Sequence, residues 1–355
     1  MITFAPFPQT LPRERLRLDW LPLLLLTVAA VALTTNAPGW ARMWLIAIAL
    51  FAGFKYWTWR RVFENTSTMT SKPSVVAPDR RARGARAIAS AFEVASNSEP
   101  VARRSGAIPN ARSLAFLFLW PGMNARTFLY GTAQAPVVRA TCCLDARSAQ
   151  EATPKTSAWL WALAKTLLGA TLLWICARLA GHGLLAGWIG MIGFIFLLHF
   201  GLFALLSLFW QSRGIDAAPL MKCPIAANSL HDFWGRRWNA GFRDIVFVLF
   251  FFPLARRYGT AAAALATFVL SGLIHELVIT VPAGGGYGLP TLYFALQGLG
   301  LMLERTRHRA ACRVTRGWPG RVFAIAMVTL PIGALFPPVF VTRVMVPFFQ
   351  LIHAL

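Results

Sequence analysis

The sequence predicts an all-α integral membrane protein, a bundle of about eight transmembrane helices with one or two short re-entrant segments. Hydrophobic residues make up 57% of the 355 positions and charged residues only 14%, and the mean hydropathy is +0.55. One soluble core does not need that much apolar material. A bilayer core of about 30 Å is crossed by roughly 20 apolar residues in a helix, and several stretches approach that length.

Eight apolar stretches are predicted to cross the bilayer, and the distribution of basic residues predicts their orientation. The stretches are Trp20–Asn36, Met43–Thr58, Ala158–Ala180, Leu184–Trp210, Gly259–Val281, Leu289–Leu303, Val322–Phe336 and Val339–Leu355. Lys and Arg near the ends of spans favour the cytoplasmic side. Eight crossings put every basic cluster and both termini in the cytoplasm, and the connections predicted outside, 37–40, 181–183 and 282–288, contain no Lys or Arg. We expect a multi-pass protein of a bacterial-type inner membrane or an endomembrane, with its first apolar stretch retained.

Two shorter apolar segments do not fit a simple crossing. Ile245–Leu254 has ten residues, about 15 Å of helix, and Arg256 and Arg257 follow at once. We predict that it is re-entrant or lies under protein, because such a segment is stable at membrane depth only when neighbouring helices bury it or it lines a cavity. Full crossing is the alternative, and it would invert everything downstream. Leu114–Pro121 is a second candidate insertion.

The chain divides by composition into three parts and carries a net charge of +22. Residues 1–60 form a predicted transmembrane hairpin, 61–157 a basic and partly flexible cytoplasmic loop, and 158–355 the remaining helical core. The positive charge fits the orientation rule and attraction to anionic membrane lipids, and it would also help to capture an anionic substrate such as coenzyme A. No nucleic-acid-binding module is recognisable. The five cysteines lack metal-ligand spacing, so neither a metal nor a cofactor is expected.

The candidate chemistry lies in the second half, first in Ser229-Leu-His-Asp-Phe-Trp-Gly-Arg-Arg-Trp-Asn239. If 229–243 is one helix, a polar face and an aromatic face follow from the three- and four-residue spacing. The polar face holds Asp232, Arg236, Asn239 and Arg243, and the aromatic face holds Trp234, Trp238 and Phe242. An interfacial helix anchored by tryptophans and arginines would explain most of these residues. It does not explain the carboxamide of Asn239, which is both a donor and an acceptor beside an apolar segment.

The second candidate is His275, well inside an apolar stretch. A neutral histidine in such a place can act as a general base, and ionisable groups inside spans are functional hypotheses by default. Ser271 and Gly272 share its face and are small, so we expect space for a substrate beside the imidazole. The alternative is a packed histidine bonded to a neighbouring helix. Glu276 points away from this face and is expected to be a structural partner, for example of an arginine.

Together these motifs resemble the wax synthase-like branch of the membrane-bound O-acyltransferases. The resemblance rests on 229–239, on Ser271-Gly-Leu-Ile-His-Glu-Leu277 and, upstream, on Trp120-Pro-Gly-Met123. It implies a helical bundle that encloses a catalytic tunnel, with 158–355 as the acyltransferase core and acyl-CoA as co-substrate. It also implies His275 as the general base and Asn239 as the group that orients substrate or stabilises developing charge. Arg236 and Arg237 would shape the entrance together with Trp234, Trp238 and Asp232.

Three functions remain open at this stage. The first is transfer of a fatty acyl group to a long-chain alcohol, which forms a wax ester. The second keeps the reaction and changes the hydroxyl acceptor to a natural product, a sterol or a sugar, because a fold does not set acceptor shape. The third is a transporter or scaffold without enzymatic activity, although no inverted repeat supports transport.

Overall fold

The computed structural model describes residues 20–68, 110–131, 154–181, 183–309 and 317–355, without the side chains of 61–68, 110 and 306–309. All regular structure in these ranges is helical. The main helices are α1 (Leu21–Leu33), α2 (Gly39–Thr68), α3 (Asn110–Leu119), α4 (Ala125–Tyr130), α5 (Thr156–Leu179), α6 (Leu184–Ser212), α7 (Ala240–Ala283), α8 (Leu289–Arg309), α9 (Trp318–Leu335) and α10 (Pro338–Leu351). Most of the predicted loop 61–157 lies outside the described residues.

Each of the eight predicted spans coincides with a helix or part of one. Within the described ranges, α5, α6, α7 and α9 are long and apolar enough to cross a membrane. α1 and α10, with 13 and 14 residues, reach only about 20 Å. The chain is therefore a helical membrane protein, while the number of eight crossings stays a prediction.

Helix α7 is two antiparallel limbs that meet at Gly259. Gly259 has φ 82° and ψ 164°, a backbone conformation that only glycine adopts readily. The ring of Phe242, 17 residues before this turn, lies 6.3 Å from the ring of His275, 16 residues after it. One continuous helix would hold these two residues tens of ångströms apart. Limb 240–258 therefore returns along limb 260–278.

This geometry explains the segment Ile245–Leu254, which was predicted to be re-entrant or covered by protein. It belongs to the first limb, and its residues Ile245 and Leu249 lie in one apolar cluster with Ile274 and Leu277 of the second limb. The segment is therefore part of a helical hairpin and is partly covered by the second limb, while its depth in the bilayer stays a prediction. Arg256 and Arg257 are exposed beside the turn.

The segment that precedes α7 runs along α8 and away from the end of the bundle that carries Gly259. The carboxylate of Glu304 accepts the backbone N–H groups of Leu230 (3.0 Å) and His231 (2.9 Å). Farther along, the indole of Trp234 donates to Gln297 Oε1 at 3.2 Å. Glu304 and Gln297 are two turns apart on α8. The chain therefore enters the bundle beside Glu304 and reaches Asn239 at the level of His275.

Candidate active site

The imidazole of His275 is held in one orientation by its own helix. Nδ1 lies 2.7 Å from the carbonyl oxygen of Ser271, one turn earlier. A carbonyl oxygen accepts only, so Nδ1 carries the hydrogen and Nε2 of the neutral ring is the free base. His275 is partly exposed, and no described side chain bonds Nε2. The geometry thus presents an unprotonated nitrogen to the interior of the bundle.

Two phenylalanines form the walls around this imidazole. The ring of Phe294 on α8 lies 4.4 Å from it, and that of Phe242 meets it edge-on at 6.3 Å. Trp234 packs against Phe294 and, edge-on, against Phe268. Phe242 was predicted on the aromatic face of 229–243 without a link to His275, and Phe294 was not singled out, because aromatic residues are frequent in this sequence, 13% of all positions. The imidazole therefore lies among aromatic side chains of α7 and α8.

Asn239 stands at the start of α7 in a left-handed conformation, with φ 42° and ψ 64°. Asparagine tolerates this region better than most residues. Its Oδ1 accepts the backbone N–H of Phe242 at 3.2 Å, which caps the helix. In the described part of the chain Nδ2 has no bonded partner, and the residue is partly exposed. Phe242 connects Asn239 and His275, because its N–H binds the first and its ring contacts the second.

The predicted continuous helix over 229–243 is wrong. A turn of α-helix over Leu230–Asp232 continues as π-helix over Phe233–Arg237, and Trp238 is extended with φ −97° and ψ 124°. The break follows from tertiary bonds: Lys222 N–H donates to the Arg237 carbonyl, and Ala240 N–H to the Leu220 carbonyl, both at 2.9 Å. Strand-like pairing of 220–222 with 237–240 replaces the helical ladder. Asn239 and Arg236 consequently do not share a helix face.

The tryptophans of this motif lie within the bundle. Trp238 stacks on Phe233 with ring centroids 5.7 Å apart, and its ring meets Phe200 of α6 at 6.4 Å. Trp234 bonds Gln297, which is fully buried. Both indoles therefore pack against side chains of neighbouring helices.

Among the charged residues of 229–239, Asp232 and Arg237 form an ion pair, and Arg236 is exposed. Arg237 Nε lies 2.7 Å from Asp232 Oδ2, and its NH1 also reaches the carbonyls of Lys222 and Cys223 at 3.3 Å. Asp232 is thus occupied by Arg237 and by the backbone N–H of Asn228 (3.2 Å). Arg236 is exposed. Of the predicted entrance residues, Arg236 is the one whose guanidinium faces outward.

The small residues beside His275 have structural roles at their own positions. Ser271 is buried and supplies the carbonyl that orients the imidazole. A Cβ on Gly272 would lie 2.6 Å from Thr291 Cα, so α8 fills the space that was expected there for a substrate. No arginine of the described residues pairs with Glu276. Its Oε1 accepts the N–H (3.1 Å) and hydroxyl (2.9 Å) of Thr291, and its Oε2 accepts the hydroxyl of Thr280.

His231 lies where the segment 229–239 binds Glu304, and charged side chains surround it. Its pKa is lowered from the usual value, first because neighbouring atoms displace water and then because of the positive charge of Arg305. Glu304 and Asp232 oppose the shift, and Arg236 adds to it. Glu304 was not predicted as a site residue, although a carboxylate at the end of an apolar stretch was the available signal.

The Trp120–Met123 turn closes the site from a third direction. The Gly122 Cα and the Met123 backbone nitrogen each lie 3.4 Å from the position of a Cβ on Gly241, two residues after Asn239. Trp120 is buried and stacks on Phe128. The upstream motif therefore packs directly on the first turn of α7, as the last of the three motifs that resemble one family.

Comparison with known proteins identifies the same region. Residues 217–296 match the Membrane bound O-acyl transferase family. The chain is similar to probable long-chain-alcohol O-fatty-acyltransferase 7 of Arabidopsis thaliana, with 36% identity over 143 residues, which cover 35% of this chain and 40% of the relative. It is also similar to the long-chain-alcohol O-fatty-acyltransferase of Simmondsia chinensis, with 40% identity over 72 residues, 18% of this chain and 20% of the relative.

A third relative has a different acceptor in its name. It is acyl-CoA–sterol O-acyltransferase 1 of Arabidopsis thaliana, 38% identical over 71 residues, which cover 18% of this chain and 21% of the relative. The chain spans about two fifths of the length of the first relatives, 40% and 42%. Residues 217–296, which match the family, carry both Asn239 and His275.

Proposed function

We propose that this chain is an O-acyltransferase that moves a fatty acyl group from acyl-CoA to a hydroxyl acceptor, with a long-chain alcohol as the leading acceptor. The observation that carries the proposal is the bond from His275 Nδ1 to the Ser271 carbonyl, which leaves Nε2 as a free base among aromatic rings, where we place the substrate chamber. The chamber lies in the part of the chain that matches the family.

The reaction would proceed by direct transfer. Nε2 of His275 takes the proton of the acceptor hydroxyl while the oxygen attacks the thioester carbonyl. The tetrahedral intermediate then collapses, the carbon–sulfur bond breaks, and the coenzyme A thiolate takes the proton from Nε2. The ester and free coenzyme A are the products, and the imidazole returns to its starting form.

The amide of Asn239 would stabilise the charge that develops on the thioester oxygen. Its Oδ1 is occupied as the helix cap, so Nδ2 is the atom that remains for a substrate. A preorganised N–H donor aimed at a developing oxyanion needs no rearrangement during the reaction. The first turn of α7 lies beside it, and its N–H groups add a favourable dipole for negative charge.

We further propose that acyl-CoA enters from the Gly259 end and that this end faces the cytoplasm. The exposed Arg256 and Arg257 lie there, and the orientation rule favours the cytoplasm for them. Arg236 and Arg305 are near the opening beside Glu304, where they would attract the phosphates of the donor. The acceptor, an apolar alcohol, would reach the chamber from the bilayer.

A sterol acceptor is the second candidate, because one relative is named for that reaction. The hydrogen bond between His275 Nδ1 and the Ser271 carbonyl does not depend on the shape of the alcohol. The apolar chamber walls suit either a flexible chain or a rigid ring system. The choice of acceptor therefore has to be measured.

The test is an incubation of the purified protein with labelled acyl-CoA and a panel of long-chain alcohols, sterols, sugars and natural-product alcohols. We expect ester formation to fall by about 10²- to 10⁴-fold when His275 is changed to Gln, the range for loss of a general base. His353→Gln is the matched control, since its side chain is exposed at the other end of the chain.

The outcomes separate the three functions considered from the sequence. An ester with one alcohol class supports the enzyme and names the acceptor. A folded His275→Gln protein that keeps its rate would refute the general base. No ester with any acceptor, from a protein that binds or moves a solute, would favour the transporter or scaffold.

A further inference from the structure

Lys55 of α2 is a basic side chain buried within the protein and without an acidic partner among the described residues. Its exposed fraction is 2%. Its Nζ donates to the Gly122 carbonyl and stands 3.4 Å above the centroid of the Phe116 ring, with Phe51 farther away at 5.8 Å. Removing an ammonium group from water is unfavourable unless it gains partners. A lysine retained here therefore has a use that an apolar residue would not serve.

The bond from Lys55 ends on the turn that packs against the candidate site. Gly122 is wedged between the Lys55 ammonium on one side and Gly241 on the other, at 3.4 Å from a Cβ position on Gly241. Gly241 belongs to the first turn of α7, whose N–H of Phe242 is bound by Asn239. Any movement of the 120–123 turn is thus transmitted directly to the cap that holds Asn239.

We propose that Lys55 is a positioning residue of the acyl-transfer site, which fixes the 120–123 turn against α7 and so holds the Asn239 amide in place. This role rests on the proposed function. The carbonyl of Gly122 is not part of a helix ladder, and at membrane depth it needs a donor. The ammonium supplies that donor, and the aromatic face of Phe116 stabilises the charge.

Lys55→Met is the principal variant, because methionine has nearly the same length and shape but no donor. Lys165→Met is its matched control: Lys165 also lies in an apolar helix, and the described residues give it no bonded partner. Lys55→Gln restores N–H donors without charge. Gly122→Ala disturbs the turn without touching the lysine, since its Cβ would lie 2.3 Å from Trp120 Nε1.

Two measurements are made on each purified protein. Hydrogen exchange of a peptide over 240–246 reports the cap, and we expect roughly fivefold faster exchange in Lys55→Met, as for loss of a helix N-cap. In ester formation we expect kcat to fall about 10- to 100-fold, the effect of a displacement near 1 Å, while KM changes by less than about threefold. Lys55→Gln should recover part of both, and Gly122→Ala should reproduce both losses.

The exchange measurement needs no activity, so the inference can fail separately from the proposed function. A wild-type protein that forms no ester, with Lys55→Met showing fast exchange at 240–246, would refute the enzyme and keep the coupling of Lys55 to the cap. Normal exchange and normal kcat in folded Lys55→Met would overturn the inference. If Lys55→Met does not fold, unchanged exchange and kcat in Gly122→Ala would overturn it equally.

Discussion

The side chain of Asn239 has two separable tasks, and three substitutions distinguish them. Its Oδ1 caps α7 by accepting the Phe242 N–H at 3.2 Å, and its backbone is left-handed with φ 42°. Its Nδ2 is the proposed donor to the reacting carbonyl. Asp keeps the cap and tolerates the backbone, Gly keeps only the backbone conformation, and Ala keeps neither.

The expected stability losses differ strongly among the three variants. Asp is as good an N-cap as Asn, and Gly loses only a few tenths of a kcal/mol at this position. Ala loses the cap, about 1 kcal/mol, and must adopt a left-handed conformation, a further ~1–2 kcal/mol. The predicted order of stability is therefore Asn, Asp, Gly and then Ala, with Ala about 2–3 kcal/mol below the natural protein.

The expected activities do not follow that order. All three variants lack the amide donor, and removing one such donor reduces kcat by about 10²- to 10³-fold. Thermal unfolding in detergent gives the stabilities, and ester formation from labelled acyl-CoA gives kcat. An Asn239→Asp protein with normal kcat, or activities that simply track stability, would show that Asn239 is a helix cap and nothing more.

Three further substitutions test the elements that shape the site. Gly259→Ala should destabilise the fold by about 1–3 kcal/mol, because its φ of 82° and ψ of 164° suit glycine only; an unchanged melting temperature, matching the neighbouring control Thr260→Ala, would contradict the hairpin. Gly272→Ala should lower stability by about 1–3 kcal/mol, since its Cβ would lie 2.6 Å from Thr291 Cα. The control Gly333→Ala has open space at its Cβ and should keep its stability. Equal melting temperatures of the two variants would refute the predicted clash. Glu304→Ala removes the acceptor of two backbone N–H groups and should speed hydrogen exchange over 230–237, a result that unchanged exchange in the folded variant would exclude.

The sequence predicted helices well because apolar length is a local property. The stretch with His275 was recognisable without any knowledge of its neighbours, and so were the small residues Ser271 and Gly272 on the same helix face. The residue that packs against that face could not be predicted from the sequence. Gly272 meets Thr291 of α8, and a contact between residues so far apart in sequence leaves no trace in periodicity. The same holds for the aromatic wall, where Phe294 comes from α8.

The helix predicted over 229–243 failed for a reason that is partly visible in the sequence. Asn239 and Gly235 are poor residues for a helix interior, and Asn is among the few that adopt a left-handed backbone. The deciding bonds, however, come from 220–222, which pairs with 237–240. No local pattern in 229–243 predicts the pairing with 220–222. Asn239 was therefore predicted as a site residue from the sequence, while its place at the level of His275 emerged only from the fold.

The irregular backbone around Asn239 is itself an argument for an enclosed site. Three non-helical pieces meet there, namely 120–123, 220–222 and 238–239. The backbone of 220–222 pairs with Arg237 and Ala240, and the Gly122 carbonyl accepts from Lys55. The N–H of Asn239 even faces Met221 Sδ at 3.2 Å. Such backbone is stable at membrane depth only where protein covers it or where it lines a cavity. Within the described residues, the side-chain atoms that this arrangement leaves without a protein partner include Asn239 Nδ2 and His275 Nε2. One is a donor and the other a base, and the proposed acyl transfer assigns a role to each.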